Sequence, residues 1–422
     1  MTCRTARSRQ HLRSARMAGW VGAALTAMLT TGCGGGGSDG SEAGSTAPAA
    51  VAQPTALQWT YPAYGAPNDW SWALPAYLPP PRVPADNPMN AAKVDLGRYL
   101  FYDVRLSGPG TQSCASCHRQ ALAFSDGRAR PAGVTGALHP RNAMALVNIA
   151  YNATLTWANP ALLTLEQQIT NPVFGTTPIE MGVNEGNADA ILERLKSATD
   201  VDYPARFAAA FPQESGERLD WPHILKAISA FERTLISASS RYDRWLQGRA
   251  TLTPQEANGL ALFQTKAQCI QCHAPPHFGD QFVSAATTTL TVRYFNIGLY
   301  NIGGTGAYPE NNLGALDLTG NLADMGAFRA PTLRNIAVTA PYMHDGSVGT
   351  LEEAVAIMAG GGRNVQSGPY AGDGHTSRYK SLLIQDRGLS AAEQADLVAF
   401  LKTLTDEDFL SNPALADPFG AP

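Results

Sequence analysis

The chain has 422 residues, with 31 Lys and Arg against 35 Asp and Glu, a formal net charge of −4. That near-balance, with no basic stripe, argues against nucleic acid as a partner. Gly 40 and Pro 29 point to long loops between modest helices, and the length suits two domains with separate cores.

The first segment is an export signal. Residues 1–16 carry Arg4, Arg7, Arg9, Arg13 and Arg16 and no acid, and Met17 to Leu29 form an apolar run too short to span a bilayer comfortably. The run ends in Leu29-Thr30-Thr31-Gly32-Cys33, which resembles a bacterial lipoprotein signal with Cys33 as the lipidated first residue of the mature chain. The other reading is an ordinary cleaved signal beside a free cysteine. Cys3 is removed in either case. Residues 34–58 are dominated by Gly, Ser, Ala, Thr and Pro and read as a flexible tether. The expected location is the periplasm, with membrane contact only through a lipid on Cys33.

Asn90 caps an expected helix over Ala91–Phe101, with Val94, Leu96, Tyr99 and Leu100 on its buried side. The loop Ser107-Gly108-Pro109-Gly110 leads into Cys114-Ala115-Ser116-Cys117-His118, and the same frame returns as Cys269-Ile270-Gln271-Cys272-His273. Cys-x-x-Cys-His is the spacing of c-type haem attachment: the cysteines bond the vinyl groups and the histidine ligates iron. A thioredoxin-like pair, three of four zinc ligands and a short-loop disulfide are the alternatives. A disulfide leaves His118 and His273 unexplained, and His277 is the only further zinc-type ligand near either pentad. Four of the six cysteines lie in two identical frames, which favours two haems and a redox function. Export fits, because c-type attachment occurs outside the bacterial cytoplasm.

Leu162–Ile169 reads as a short helix. Trp221–Ile236 is a stronger one, with Ile224, Ile228, Phe231 and Leu235 on one stripe, and is expected to link the two halves. Thr253-Pro254-Gln255-Glu256 and Ser390-Ala391-Ala392-Glu393 are capping boxes. They open helices over Ala257–Phe263 and up to Leu404, the latter with Leu397, Phe400, Leu401 and Leu404 inward. Strand pattern is weak and confined to 287–297. The expected fold is mainly α, two cytochrome c-like haem domains in one chain, residues 59–245 and 246–422.

Several further motifs carry a resemblance. Leu96-Gly97-Arg98-Tyr99-Leu100-Phe101, both pentads, Phe328-Arg329-Ala330-Pro331-Thr332-Leu333-Arg334-Asn335 and Pro341-Tyr342-Met343-His344-Asp345-Gly346 together resemble the dihaem cytochrome c peroxidase/MauG superfamily. The stretch 296–309 is most similar to MbnH-type enzymes, which use peroxide to convert tryptophan to kynurenine on a copper-binding partner.

The resemblance implies roles. The first haem, on His118, is peroxidatic. Glu180 is its distal proton-transfer group, Pro172 the distal proline and Gln167 a distal-side glutamine. Heterolytic cleavage of peroxide needs one group to move a proton between its oxygens, and a carboxylate can do both steps. Trp157 stands between the haems as an oxidisable relay. Ala158-Asn159-Pro160 follows it in place of the family's Asp-Gly-Arg, and the stretch up to Glu180 is longer. Met358 matches the sixth ligand of the second haem, with Met343 and Met325 as rivals, and methionine raises the potential. Val134 stands where activation-dependent peroxidases keep a displaceable histidine, with His139 nearby but out of register, so the first iron is expected to be five-coordinate. Asn142, Thr339 and Pro341 match a calcium site, and oxygen ligands suit that ion.

The main expectation is a hydrogen-peroxide-dependent oxidase that modifies a residue on a partner protein through a high-valent state of the two haems. The alternatives are a bacterial cytochrome c peroxidase fed by a small cytochrome or copper protein, and a non-enzymatic electron carrier. The resting holoprotein is expected to show one high-spin and one low-spin haem in its electron paramagnetic resonance spectrum; two low-spin signals would remove the five-coordinate first iron.

Overall fold

The computed structural model describes residues 57–60 and 70–420, with side chains from residue 70 onward. The export signal, Cys33 and most of the tether therefore lie outside the described residues. The helices are α1 (Ala91–Tyr102), α2 (Leu165–Gln168), α3 (Thr170–Phe174), α4 (Ala188–Lys196), α5 (Tyr203–Ala210) and α6 (Trp221–Glu232), then α7 (Arg241–Leu246), α8 (Pro254–Gln264), α9 (Leu316–Thr319), α10 (Leu351–Gly360), α11 (Ala391–Lys402) and α12 (Glu407–Ser411). Two small antiparallel pairs complete the described structure: β1 (Leu57–Thr60) with β2 (Thr289–Val292), and β3 (Asn364–Val365) with β4 (Gly372–Asp373). Leu57 and Gln58, assigned by sequence to the tether, are thus paired backbone.

Local signals set the helix starts. Asn90 accepts from the Lys93 amide at 2.7 Å. Thr253 and Ser390 form the reciprocal capping boxes that their sequences spell. The short helix expected over 162–169 is two turns, α2 and α3, joined at Ile169.

Two helix pairs build two cores. In the first half α1 packs on α6, and Leu96, Leu100, Phe101, Ile224, Ile228 and Phe231 are buried there. In the second half α8 packs on α11, around Leu260, Phe263, Leu397, Phe400 and Leu401. Each pair crosses at a glycine. A Cβ on Gly97 would stand 1.9 Å from the Ala227 carbonyl oxygen, and one on Gly259 would stand 1.9 Å from that of Asp396. No side chain fits at either crossing.

The halves also share a tie behind each crossing. Asn148 and Asn335 are both left-handed, with φ of 55° and 58°. Their amides donate to Leu235 and Leu404 carbonyls at 2.7 and 3.0 Å. Asn148 accepts from the Ser237 amide, Asn335 from the Asp406 amide, and the Ser237 hydroxyl donates to Asp406 at 2.9 Å. The chain's return points of the two halves are therefore joined to each other. Helix α6 does not link the halves as its length suggested; it is half of the first core, and residues 233–253 make the passage.

Two segments cross over. Phe409 and Leu415 are buried in the first core, and the Tyr102 hydroxyl donates to the Leu415 carbonyl at 2.8 Å. In the other direction Trp157 and Ala158 pack into the second core. Gly97→Ala is expected to lower unfolding stability by at least about 1–3 kcal/mol, read by chemical denaturation, with Gly259→Ala behaving alike.

Candidate functional site

Both pentads fold the same way. Cys114–Ser116 and Cys269–Gln271 are single 3₁₀ turns, and the His118 and His273 amides donate to the Cys114 and Cys269 carbonyls at 3.0 and 2.9 Å. The His118 Nδ1 bonds the Phe124 carbonyl at 2.7 Å, and the His273 Nδ1 bonds the Phe278 carbonyl at 3.0 Å. A carbonyl can only accept, so Nδ1 carries the proton and Nε2 is the free lone pair on each ring. Phe124 and Phe278 hold these carbonyls in place through left-handed backbone, φ 61° and 57°. Burial lowers the pKa of both imidazoles, which keeps them neutral, the ligating form.

The four pentad cysteines are free thiols. Burial raises the Cys117 and Cys269 pKa to about 11. Among the described residues no three His, Cys, Asp or Glu side chains converge as a metal site, so the zinc reading of the pentads has no donor set. His277, the spare ligand type, is buried with its Nε2 bonded to Asn152 Oδ1 at 2.7 Å. What the pentads do face is space. A cavity of about 400 Å³ lies over Cys114, Cys117 and His118, and one of about 230 Å³ over Cys269, Cys272 and His273. Paired thiols, a neutral imidazole with free Nε2 and an adjoining cavity fit a covalent c-type haem in each half.

The cavities differ in character. Glu180, His139, Arg141, Asp317 and Glu232 line the first. Burial pushes the Glu180 carboxyl up to about 7. His139 Nε2 stands 3.8 Å from Glu180 Oε1 and its Nδ1 meets the Arg141 backbone. The sequence set His139 out of register; the fold puts it on the same wall as Glu180. Val134 does not line the cavity, and its amide donates to the Glu180 carbonyl at 2.9 Å. Pro172 lines the cavity, and its carbonyl accepts from the Met181 amide.

Gln167 does not reach the first cavity. It is exposed, and its Oε1 faces the Leu163 amide at 3.4 Å, while the next residue, Gln168, lines the cavity. On the four-residue turn of α2 one step rotates the side chain by about 100°, so a one-place register error moves it from wall to surface.

The second cavity is largely apolar, walled by Phe263, Leu351, Val355, Leu397 and Leu401. Met358, on α10, lines it, and so does Met343; Met325 does not. Ile297, Leu299 and Tyr308 bring the 296–309 stretch to the same wall. His344 is buried there, stacked on Phe328 at 3.6 Å between centroids, and burial pushes its pKa down to about 3.

Trp157 is the one described residue on the walls of both cavities. Its indole N–H donates to the Asn142 carbonyl at 2.9 Å, and its own carbonyl accepts from the Arg329 amide at 2.8 Å. Arg329 is buried and also holds the Thr154 carbonyl at 2.9 Å. The Asn142 amide donates to the His344 carbonyl at 2.8 Å. The residues expected around calcium thus belong to the loops that clamp Trp157. The Asn142 side-chain amide donates to the Arg128 carbonyl at 2.7 Å, which turns its N–H side to the protein and leaves Oδ1 for other use.

Comparison with known proteins places this architecture. A family model described as di-haem cytochrome c peroxidase matches residues 91–251. A cytochrome-c peroxidase, IdrP1, of Denitromonas iodatirespirans is 37% identical over 78% of this chain and 85% of its own length. The methylamine utilization protein MauG of Methylorubrum extorquens is 33% identical over 79% and 83%. A crystal structure of a MauG-like protein associated with microbial copper homeostasis is 54% identical, with a TM-score of 0.81, over 83% of this chain and 100% of that one. The chain belongs to the dihaem cytochrome c peroxidase/MauG superfamily. It is accordingly a peroxide-using, haem peroxidase-type oxidoreductase with a mainly α fold.

A buried ion pair helps hold the loop that follows His273. Arg334 makes two bonds to Asp243, at 2.8 and 2.9 Å, and holds the Pro276 carbonyl at 2.9 Å. Arg334→Met strands the Asp243 charge and is expected to cost about 3–5 kcal/mol, measured by denaturant unfolding of the holoprotein.

Proposed function

We propose that this chain reduces hydrogen peroxide in the bacterial periplasm with electrons taken from a partner protein. The observation that carries the reading is Trp157, shared by an acid-lined cavity under Glu180 and a cavity without acids beside Met358. When bound, the two haems supply the iron for peroxide and the centres that hold its oxidising equivalents, the first on Cys114, Cys117 and His118, the second on Cys269, Cys272, His273 and Met358. One peroxide, two protons and two electrons give two waters.

Glu180 accepts the proton of the near peroxide oxygen and returns it to the far oxygen. Its raised pKa, about 7, suits both steps, since a carboxyl near ambient pH can take and give a proton. Pro172 and the apolar residues around it narrow the space beside the carboxyl. His139 Nε2 stands beside that carboxyl, 3.8 Å from Glu180 Oε1. Trp157, held by Asn142, relays charge between the halves. Asn142 Oδ1 and the Thr339 and Pro341 carbonyls accept no hydrogen bond from described residues, and this set of oxygens suits calcium.

The named cytochrome c peroxidases among the relatives support a small cytochrome as donor. A second reading, oxidation of tryptophan to kynurenine on a copper-binding partner, is favoured by the 54% identity to a MauG-like protein associated with copper homeostasis and by the 296–309 stretch at the second cavity. Peroxide added to the fully oxidised protein without reductant separates them. Oxidation of a partner residue, seen by mass spectrometry, supports modification; turnover that continues only while a reduced donor protein is supplied, with no partner residue changed, supports the peroxidase.

The peroxide reaction is expected to rise as pH passes through about 7, because the carboxylate is the form that accepts the first proton. Glu180→Gln removes that dependence and slows the reaction by roughly 10²–10⁴-fold, read by stopped-flow at several pH values. Trp157→Phe is expected to keep haem content and peroxide uptake and to slow electron delivery from the second half, read by rapid mixing of half-reduced protein with peroxide.

A further inference from the structure

The two halves repeat closely enough to be compared residue by residue. Gly97 meets Ala227 and Phe231 as Gly259 meets Asp396 and Phe400. Asn148 bonds Leu235 as Asn335 bonds Leu404. By both pairings the position after Phe231 matches the position after Phe400. In the second half it is Leu401, on the wall of the second cavity. In the first half it is Glu232, on the wall of the first.

Glu232 is 5% exposed, and its Oε2 has no hydrogen-bond partner. A buried carboxyl without a partner costs several kcal/mol if ionised, so it is kept neutral. Burial pushes it up to about 8. The neighbouring Arg233 pulls it down, but burial outweighs that attraction, and the Nη2 of the guanidinium is held by Glu166 at 2.6 Å. The other charged or titratable groups toward it are Glu166 on α2, Glu180 across the cavity and Cys114, which feels the charge of Glu232 and becomes a thioether when haem is attached. A scaffold that accepts leucine at this place holds an acid on the side where oxidising charge accumulates.

We propose that Glu232 is the internal proton-exchanging group of the first cavity, releasing its proton when the first haem loses an electron and taking it back when the electron returns. One electron leaves to the external oxidant and one proton to bulk water, so the net charge added to the cavity is small. The carboxylate formed then faces the oxidised, more positive centre, which favours it by simple attraction. This rests on the reading that the first cavity holds a haem, and not on what supplies the electrons.

The test is the reduction potential of the first haem in the holoprotein, without peroxide, followed spectroscopically from about pH 6 to about pH 9, a range that brackets the raised carboxyl. The oxidised state lowers the pKa of Glu232, so the potential should fall as pH rises between the two pKa values. The limiting slope is a tenfold shift per pH unit, about 59 mV for one electron. Glu232→Gln should flatten the part of that slope centred at about pH 8 at the first haem and leave the second haem unchanged, whereas Glu180→Gln should keep that part and lose only one centred at about pH 7. Glu232→Leu copies the second half, should also flatten the slope, and should raise the unfolding temperature by removing an unpartnered acid. A wild-type slope retained in both Glu232 variants, or lost only in Glu180→Gln, overturns the proposal. A wild-type protein that shows the slope, lost in the Glu232 variants, but no peroxide turnover would instead count against the proposed function alone.

Discussion

The backbone contact at Gly97 and Gly259 is the constraint on which the rest is arranged. With hydrogen as the only side chain, each N-terminal helix lies against a carbonyl of its partner. Phe101 and Phe231, and likewise Phe263 and Phe400, then meet edge to face at 5.2 Å. This close crossing sets where the pentad turn emerges and where the proximal imidazole is aimed. The helices supply little affinity by propensity alone; the buried aromatic area behind the crossing holds them.

The two halves share that frame and differ in what is hung on it. The frame gives each imidazole a carbonyl for Nδ1 and leaves Nε2 free. The wall then decides the environment: Glu180, Glu232 and Asp317 line one cavity, and no acid lines the other. A buried acid is held near neutrality by desolvation, so Glu180 and Glu232 are both groups that can change charge at ordinary pH. In the second cavity the same burial has no acid to act on.

Joining the halves is a separate problem, solved away from the helices. The Asn148–Ser237–Asp406–Asn335 network ties the two return loops, and the tail after Asp406 packs on the first core. Trp157 crosses the other way. Its position depends on the Asn142 carbonyl, the Arg329 amide and the His344 loop together, so three distant segments must be in place before the indole has a fixed seat.

The sequence by itself determined the haem-type pentads, the capped helix starts at Asn90, Thr253 and Ser390, and the mainly α class, because spacing and capping are local properties. Motif register also carried Glu180, Pro172, Met358 and Trp157 to cavity walls. It failed by one place at Gln167, where a short helix turns a side chain from the wall to the surface. It passed over Glu232, although an acid four residues after Ile228 on a buried stripe was a readable sign. It set aside His139, which the fold brings to 3.8 Å from Glu180, two residues before the Arg141 that pairs with Asp317 at 3.1 Å. Only the tertiary structure decided that α6 completes a core and does not bridge two, that the tail returns to the first half, and that one tryptophan borders both cavities. Those are contacts between segments far apart in the chain, fixed by packing and desolvation, and neither leaves a periodic mark in the sequence.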